Sequence, residues 1–444
     1  MTRNSTVRRV IALGAMALGA ALAVPAAASG SIGPAGAAAA GTASPAVVEA
    51  AVTGLDEPAG TAGHATNHAV DQVAGSATEL ARVPGYAGVA VDYPTATVTL
   101  SWKGTAPTAA LRLQEAAPRG VTVVVRRATF SDAELRAAST RLLDGVRAEH
   151  GPDVVLAAYP APDHSGLVAE VAAASAVAAR HDLARYLERT AGVPVRTTPA
   201  RDEVGPGTGP EAAPGVESTA GDRRDDRAPW HGGGAIATAD GNDYCTTGFA
   251  IVTATGDHRL VTAAHCNARV GDVVRDGAGQ RLGTVAARAP HLDAQLIDPV
   301  GSPQTAASVF GGPWDAGRDN PRFRFPVVGV QAPAVGQHIC SSGAVTGEHC
   351  ATIRATNLAW TCGDETCHGF RASRDDGGVV VGGGDSGGPM YVVIDGKAYA
   401  RGMIDGGSNR RSCGSTSLPT QCFSYVYGIP MVDILEHWDA RLDM

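Results

Sequence analysis

Apolar and polar residues alternate from Gly88 to Trp102, with Val89 and Val91 before a polar break at Asp92 to Ala96 and Val98, Leu100 and Trp102 after it. Period-two alternation on both sides of a turn predicts a β-hairpin. The apolar run Val121 to Val125 predicts a further strand. The period then lengthens. Leu135, Ala138, Leu142 and Val146 recur at helical spacing behind Ser131 and Glu134, a capping box whose side chains satisfy N–H groups left unpaired at a helix start. The run Asp153 to Tyr159 predicts another strand, and the Ala-rich stretch Leu167 to Leu187 a second helix, with the pattern ending before Pro199. Residues 88–196 therefore predict a small α/β unit.

From Trp230 to the end, short apolar runs are punctuated by Gly, Asp and Pro, and helical spacing returns only in Val432 to Leu442. Many short strands with turn signals between them predict an all-β barrel domain over 230–444. The segment joining the two units, 197–229, has no aromatic residue and only Val204 and Val216 as large aliphatics. It cannot bury enough apolar surface to order itself, so it reads as a disordered linker, and Arg223, Arg224 and Arg227 make it a site for processing. Residues 29–87, rich in Ala, Gly, Thr and Pro, read as a flexible or weakly helical spacer. Ahead of them, Arg3, Arg8 and Arg9 precede the apolar run Val10 to Val24 and the small residues Ala26 to Ala28. That order is a signal peptide over 1–28, too short for comfortable bilayer spanning, and it implies a secreted, extracellular chain without a membrane anchor.

A net charge of −8 over 444 residues, with Lys and Arg scattered, provides no footprint for nucleic acid. The eight cysteines all follow residue 244: Cys245, Cys266, Cys340, Cys350, Cys362, Cys367, Cys413 and Cys422. An even number in an exported chain reads as disulfides. His349 and His368 stand beside cysteines, but the spacing matches no zinc pattern, so neither metal nor other cofactor is expected.

The stretch VVVGGGDSGGPMYVV, Val379 to Val393, sets five glycines and Ser386 between two apolar runs. A phosphate-binding loop would end in Gly-Lys-Ser/Thr and open a helix, and neither feature is present. The alternative is a sharp turn that presents a nucleophilic hydroxyl and backbone N–H groups to an oxyanion, which needs a base and an acid elsewhere. His265, in HRLVTAAHC, supplies the candidate base, and HLDAQLID offers Asp293 or Asp298 as the acid.

Thr-Ala-Ala-His-Cys and Gly-Asp-Ser-Gly-Gly-Pro resemble the histidine and serine motifs of chymotrypsin-family serine peptidases. The stretch Val335 to Ile353, the WHGGGAI segment and GMIDGGS from Gly402 are similar to the bacterial streptogrisin-type members. The resemblance implies a chymotrypsin-like double β-barrel catalytic domain, a Ser-His-Asp endopeptidase working through an acyl-enzyme, and an N-terminal pro-segment as the domain's own partner in a precursor. Asp293, followed by Ala-Gln-Leu-Ile, is the better match to the family's acid, whereas Asp298 precedes Pro299 and reads as a turn residue. The N–H groups of Gly384 and Ser386 then form the oxyanion hole, and Val380, Asp405, Gly406 and Gly407 line the substrate cleft. Val380 stands where a trypsin-like member has Asp, so apolar rather than basic side chains are expected in the pocket. The resemblance pairs Cys245 with Cys266 and Cys340 with Cys350. The family's cysteine shortly before the serine is missing, so the other four are expected to pair locally, Cys362 with Cys367 and Cys413 with Cys422, with the remaining pairings of the four still open.

Two departures stand out. The domain does not begin with Ile-Val-Gly-Gly, and Ser341 occupies the place where relatives carry an Arg, so Asp385 lacks an evident cation. The expected protein is a monomer acting on protein or peptide substrates; an inactive binding module and a triad esterase are the alternatives.

Overall fold

The computed structural model describes residues 61–173, 175, 178, 182–200, 222–237, 244–267 and 269–444. The expected signal peptide, residues 29–60 of the spacer and residues 201–221 of the linker lie outside them. The chain opens with α1 (Thr61–Thr78), β1 (Tyr86–Asp92), β2 (Thr97–Lys103), α2 (Thr108–Glu115) and β3 (Thr122–Ala128). β1 and β2 form the hairpin, in register from Val89↔Leu100 to Asp92↔Thr97, and β3 lies parallel to β2. Val70, Val73, Ala74 and Ala77 of α1 are buried against Val89, Val98, Leu100 and Trp102. Residues 61–78 are thus a structural helix in a stretch read as spacer. Small apolar residues at i, i+3, i+4 and i+7 make the buried stripe.

A second layer follows: α3 (Asp132–His150), β4 (Val155–Pro160), β5 (Leu167–Val171), α4 (Leu183–Ala191) and β6 (Val195–Pro199). Ser131 and Glu134 cap α3 reciprocally. The Ala-rich stretch does not form one helix. Its first residues, Leu167–Val171, alternate buried and half-buried positions and pair antiparallel with β4, and among the described residues of the stretch helix begins at Leu183. Period-two burial against β4 outweighs the helix propensity of alanine.

The rest is two curled sheets. One has eight strands, in the order Ala440–Leu442, Ala250–Thr253, His258–Ala263, Ala294–Pro299, Arg281–Ala289, Val273–Asp276, Ala235–Ala237 and Tyr244–Thr246. In the second, Lys397–Arg411 pairs with both Pro389–Ile394 and Cys422–Pro430, which closes the sheet on itself. Together the two curled sheets make a double β-barrel. β4 extends the second sheet by pairing with Gly347–Cys362 through Ala158↔Ala359 and Ala157↔Trp360, so the α/β unit is docked on the barrel within one compact unit, Thr53–Met444. Disulfides join Cys245 to Cys266, Cys340 to Cys350, Cys362 to Cys367 and Cys413 to Cys422.

The linker expectation is corrected at its C-terminal end. Residues 222–226 are built into the barrel, and Arg223 is only 2% exposed. Its guanidinium donates to the carbonyls of Gly233, Gly343, Gly311 and Gly312 and to Ser342 Oγ. A polar composition looked unable to order itself, yet five fixed acceptors supply what apolar burial does not.

Candidate active site

Strands His258–Ala263 and Ala294–Pro299 pair antiparallel from Leu260↔Ile297 to Ala263↔Ala294, so the residues just past their ends, His265 and Asp293, meet side by side. Asp293 has φ +40 and ψ +41, a left-handed conformation that Asp tolerates better than most residues. In this pose Oδ1 accepts the His265 backbone N–H at 2.9 Å, and Oδ2 lies 2.5 Å from His265 Nδ1. The ring is thereby fixed with Nδ1 committed and Nε2 left to act as a base. Burial alone would lower the His265 pKa, but the Asp293 carboxylate overrides it and holds the imidazole above its ordinary value. Asp298 lies elsewhere: 48% exposed at its side chain, it pairs with Arg259 at 2.9 Å.

Ser386 arrives from the other barrel on the turn between Val381–Gly382 and Pro389–Ile394. Gly384 has φ +92 and Gly387 φ +85, and a Cβ on Gly387 would stand 2.1 Å from Thr262 Oγ1. Only glycine lets the turn seat against the histidine strand. Thr246 anchors it twice, its N–H donating to the Ser386 carbonyl at 2.8 Å and its Oγ1 to the Gly384 carbonyl at 2.9 Å. Among the described residues, the N–H groups of Gly384 and Ser386 donate to no protein acceptor. The Ser386 hydroxyl donates to the Asp405 carbonyl at 3.3 Å.

Asp385 is satisfied without a salt bridge. Its carboxylate accepts from Val345 N, Thr346 N, Gly382 N and Thr346 Oγ1. Gly343 separates it from Arg223: a Cβ on Gly343 would lie 2.0 Å from the Asp385 carboxyl, while the Gly343 carbonyl accepts from Arg223. The basic groups that act on Asp385 are Arg223, in the stretch read as linker, and His349, rather than a residue at the position of Ser341. No local motif marks Arg223, which finds its partners only through tertiary contact.

The expected cleft residues divide. Val380 is buried in an apolar cluster with Phe370, Phe423 and Val426. Gly406 and Gly407 pair with Tyr427 and Val426 along the Lys397–Arg411 strand. Asp405, 6% exposed, turns its carboxyl inward: Oδ2 accepts from Trp360 Nε1 at 2.9 Å, and the group faces Asp293 and His265. Burial, with the Asp293 charge, pushes the Asp405 carboxyl well above the usual carboxylate range. Trp360 and Thr246 are site residues that no spacing in the sequence singles out.

The docked α/β unit reaches this region. Glu170 of β5 pairs with Arg371 at 2.8 Å, and a cavity of about 170 Å³ is lined by Glu170, Thr198 and Pro199 from the α/β side and by Arg371, Ser408 and Tyr425 from the barrel.

No family model matches the chain. It is 29% identical over 205 residues to streptogrisin-C of Streptomyces griseus, a match covering 45% of this chain and 40% of that protein, so the chain spans less than half of this relative's length. Among solved structures it is similar to the Nocardiopsis protease NAPase, at 26% identity over 48% of this chain and 98% of that one, with a TM-score of 0.36. The Cellulomonas bogoriensis chymotrypsin is similar at 28% identity over 48% of this chain and 97% of that one, again with a TM-score of 0.36.

Proposed function

We propose that this chain is a serine peptidase of the chymotrypsin family, a secreted endopeptidase made as a precursor, with Ser386 as nucleophile, His265 as general base and Asp293 as the orienting acid. The observation that carries the reading is the double grip of Asp293 on His265, through the backbone N–H at 2.9 Å and Nδ1 at 2.5 Å. A serine hydroxyl is a weak nucleophile at neutral pH, so a base must take its proton during attack. With Nδ1 held as a donor to Asp293, the free Nε2 has that task. The Ser386 hydroxyl leaves the Asp405 carbonyl, passes its proton to Nε2 and attacks the scissile carbonyl carbon. His265 then returns the proton to the leaving amine, and a water molecule repeats the sequence to release the acyl group.

The unengaged N–H groups of Gly384 and Ser386 receive the oxyanion, held there by the Thr246 contacts to the same turn. Apolar side chains are the preferred occupants of the specificity pocket, in keeping with the apolar surroundings of Val380. The α/β unit serves as a pro-segment: its strand addition to the second barrel and the Glu170–Arg371 pair support a role in assisting folding and covering the cleft edge until the linker is cut.

Turnover of a peptide substrate by the mature form is the test. Ser386→Ala should lower kcat by a factor on the order of 10⁵ or more with folding intact. Comparable turnover by that variant would refute the assignment.

A further inference from the structure

Asp405 is a buried carboxyl that the reaction as written does not use. Its place is nonetheless central, since its own carbonyl receives the resting Ser386 hydroxyl and its side chain faces both Asp293 and His265. Oδ2 is satisfied by the Trp360 indole N–H. Oδ1 is buried and receives no donor from the described residues. Facing the same side chain is the Asp293 carboxylate, already accepting two N–H groups from His265. Two ionised carboxylates so placed, sealed from water, would repel strongly and leave Oδ1 a desolvated charge without a partner. A single proton on Oδ1 removes both costs: the repulsion ends, and an O–H donor faces the Asp293 acceptor.

We propose that Asp405 is a neutral carboxylic acid at working pH that donates a hydrogen bond to Asp293, acting as a positioning residue for the Asp293–His265 pair. This rests on the proposed roles of His265 and Asp293. Asp293 then accepts from three donors, the His265 backbone N–H, the His265 Nδ1–H and the Asp405 O–H, which fixes its carboxylate plane and keeps it anionic. The neutrality of Asp405 has a second consequence. Were it ionised, two negative charges would face one imidazole and hold His265 protonated, unable to act as a base. With Asp405 neutral, Asp293 alone faces the ring, and the base is free at neutral pH. The charged groups facing Asp405 are Asp293, from the turn before Ala294–Pro299, and His265, from the turn after His258–Ala263; its contact from Gly347–Cys362 is the uncharged Trp360. No sequence signal distinguishes a neutral Asp from an ionised one in GMIDGGS, because the difference lies in what the fold places beside it.

The test compares Asp405→Asn with Asp405→Ala on the active protein. An Asn side chain keeps both functions, its carbonyl accepting from Trp360 and its NH₂ donating to Asp293. D405A is expected to lose roughly tenfold to hundredfold in kcat, and D405N to recover to within about threefold of the unsubstituted protein, the scale of one lost buried hydrogen bond against its replacement. The acid limb of kcat/KM should keep the same apparent pKa in D405N. A protonated-carboxyl C=O stretch in infrared difference spectra should be present in the parent and absent from D405N. If Asp405 were instead ionised, removing its charge would lower the His265 pKa by about 1 unit or more. That shift, a missing carboxyl band, or a D405N variant as impaired as D405A overturns the proposal. Should D405A fail to fold, the D405N profile and the infrared band decide alone. An active-site label still abolished by Ser386→Ala shows that the failure belongs to Asp405 and not to the proposed function.

Discussion

Replacing Arg223 by Met should destabilise the barrel more than any other single change in the described residues of the stretch read as linker. The guanidinium donates to five acceptors, at 3.2 Å to Gly233 O, 3.3 Å to Gly343 O, 2.9 Å to Gly311 O, 3.1 Å to Gly312 O and 3.0 Å to Ser342 Oγ. Methionine fills much of the same volume and donates nothing. Each buried polar group left unsatisfied costs about 1–3 kcal/mol. The five share one donor group, and neighbouring carbonyls relax together, so the sum is not additive. Several neutral acceptors losing their donor at once, with partial relaxation, put the expected loss at about 3–5 kcal/mol. In a domain of this size it corresponds to a fall in Tm of roughly 6–20 °C. Arg223→Lys keeps the charge without the planar fork and should fall between the two. Thermal melts of the full chain, in a Ser386→Ala background to prevent self-digestion, provide the readout. A loss below about 1 kcal/mol in R223M would refute the view that this residue ties the segment to the barrel.

Three further outcomes are expected. N-terminal sequencing of the active form should place its first residue within 201–223, because a cut after Arg223 or Arg224 would remove the buried Arg223; a first residue between 224 and 234 would contradict this. Asp293→Asn should lower kcat by roughly 10⁴ with folding intact while Asp298→Asn, an exposed partner of Arg259, changes little, and equal losses measured on one peptide substrate would remove the distinction. The base must be neutral to work, and Asp293 raises the His265 pKa, so the rate should fall as pH drops through a value above histidine's ordinary ~6.5; a limb well below that value would show that Asp293 does not face the ring in its charged form.

The legible parts of this chain were those whose signals are local. His265 and Ser386 sit in short motifs with the turn chemistry their proposed roles require, and the capping box at Ser131 and Glu134 marks a helix start through residues three apart. Asp293 is preferred to Asp298 because the Ala-Gln-Leu-Ile after it resembles the family's acid segment, whereas a proline follows Asp298. What stayed hidden depends on contacts between distant segments. Arg223 lies among charged residues in a stretch without apolar content, and its order comes from carbonyls at Gly311, Gly312 and Gly343. The helix Thr61–Thr78 buries small residues whose stripe is faint in an Ala/Gly-rich composition. Leu167–Val171 reads as helix by composition and becomes strand because β4 offers an edge to pair with. Asp405 was placed in the cleft by resemblance, but its inward carboxyl emerges only when Trp360 and Asp293 surround it.

The central claim is that Ser386 is the nucleophile activated within this site. Mapping the adduct formed by a fluorophosphonate probe on the mature protein tests it most directly. The expected result is one modified residue, Ser386, labelled faster as pH rises through the His265 pKa and unlabelled in Ser386→Ala. An adduct on any other residue, or equal labelling of the Ser386→Ala protein, would contradict the account.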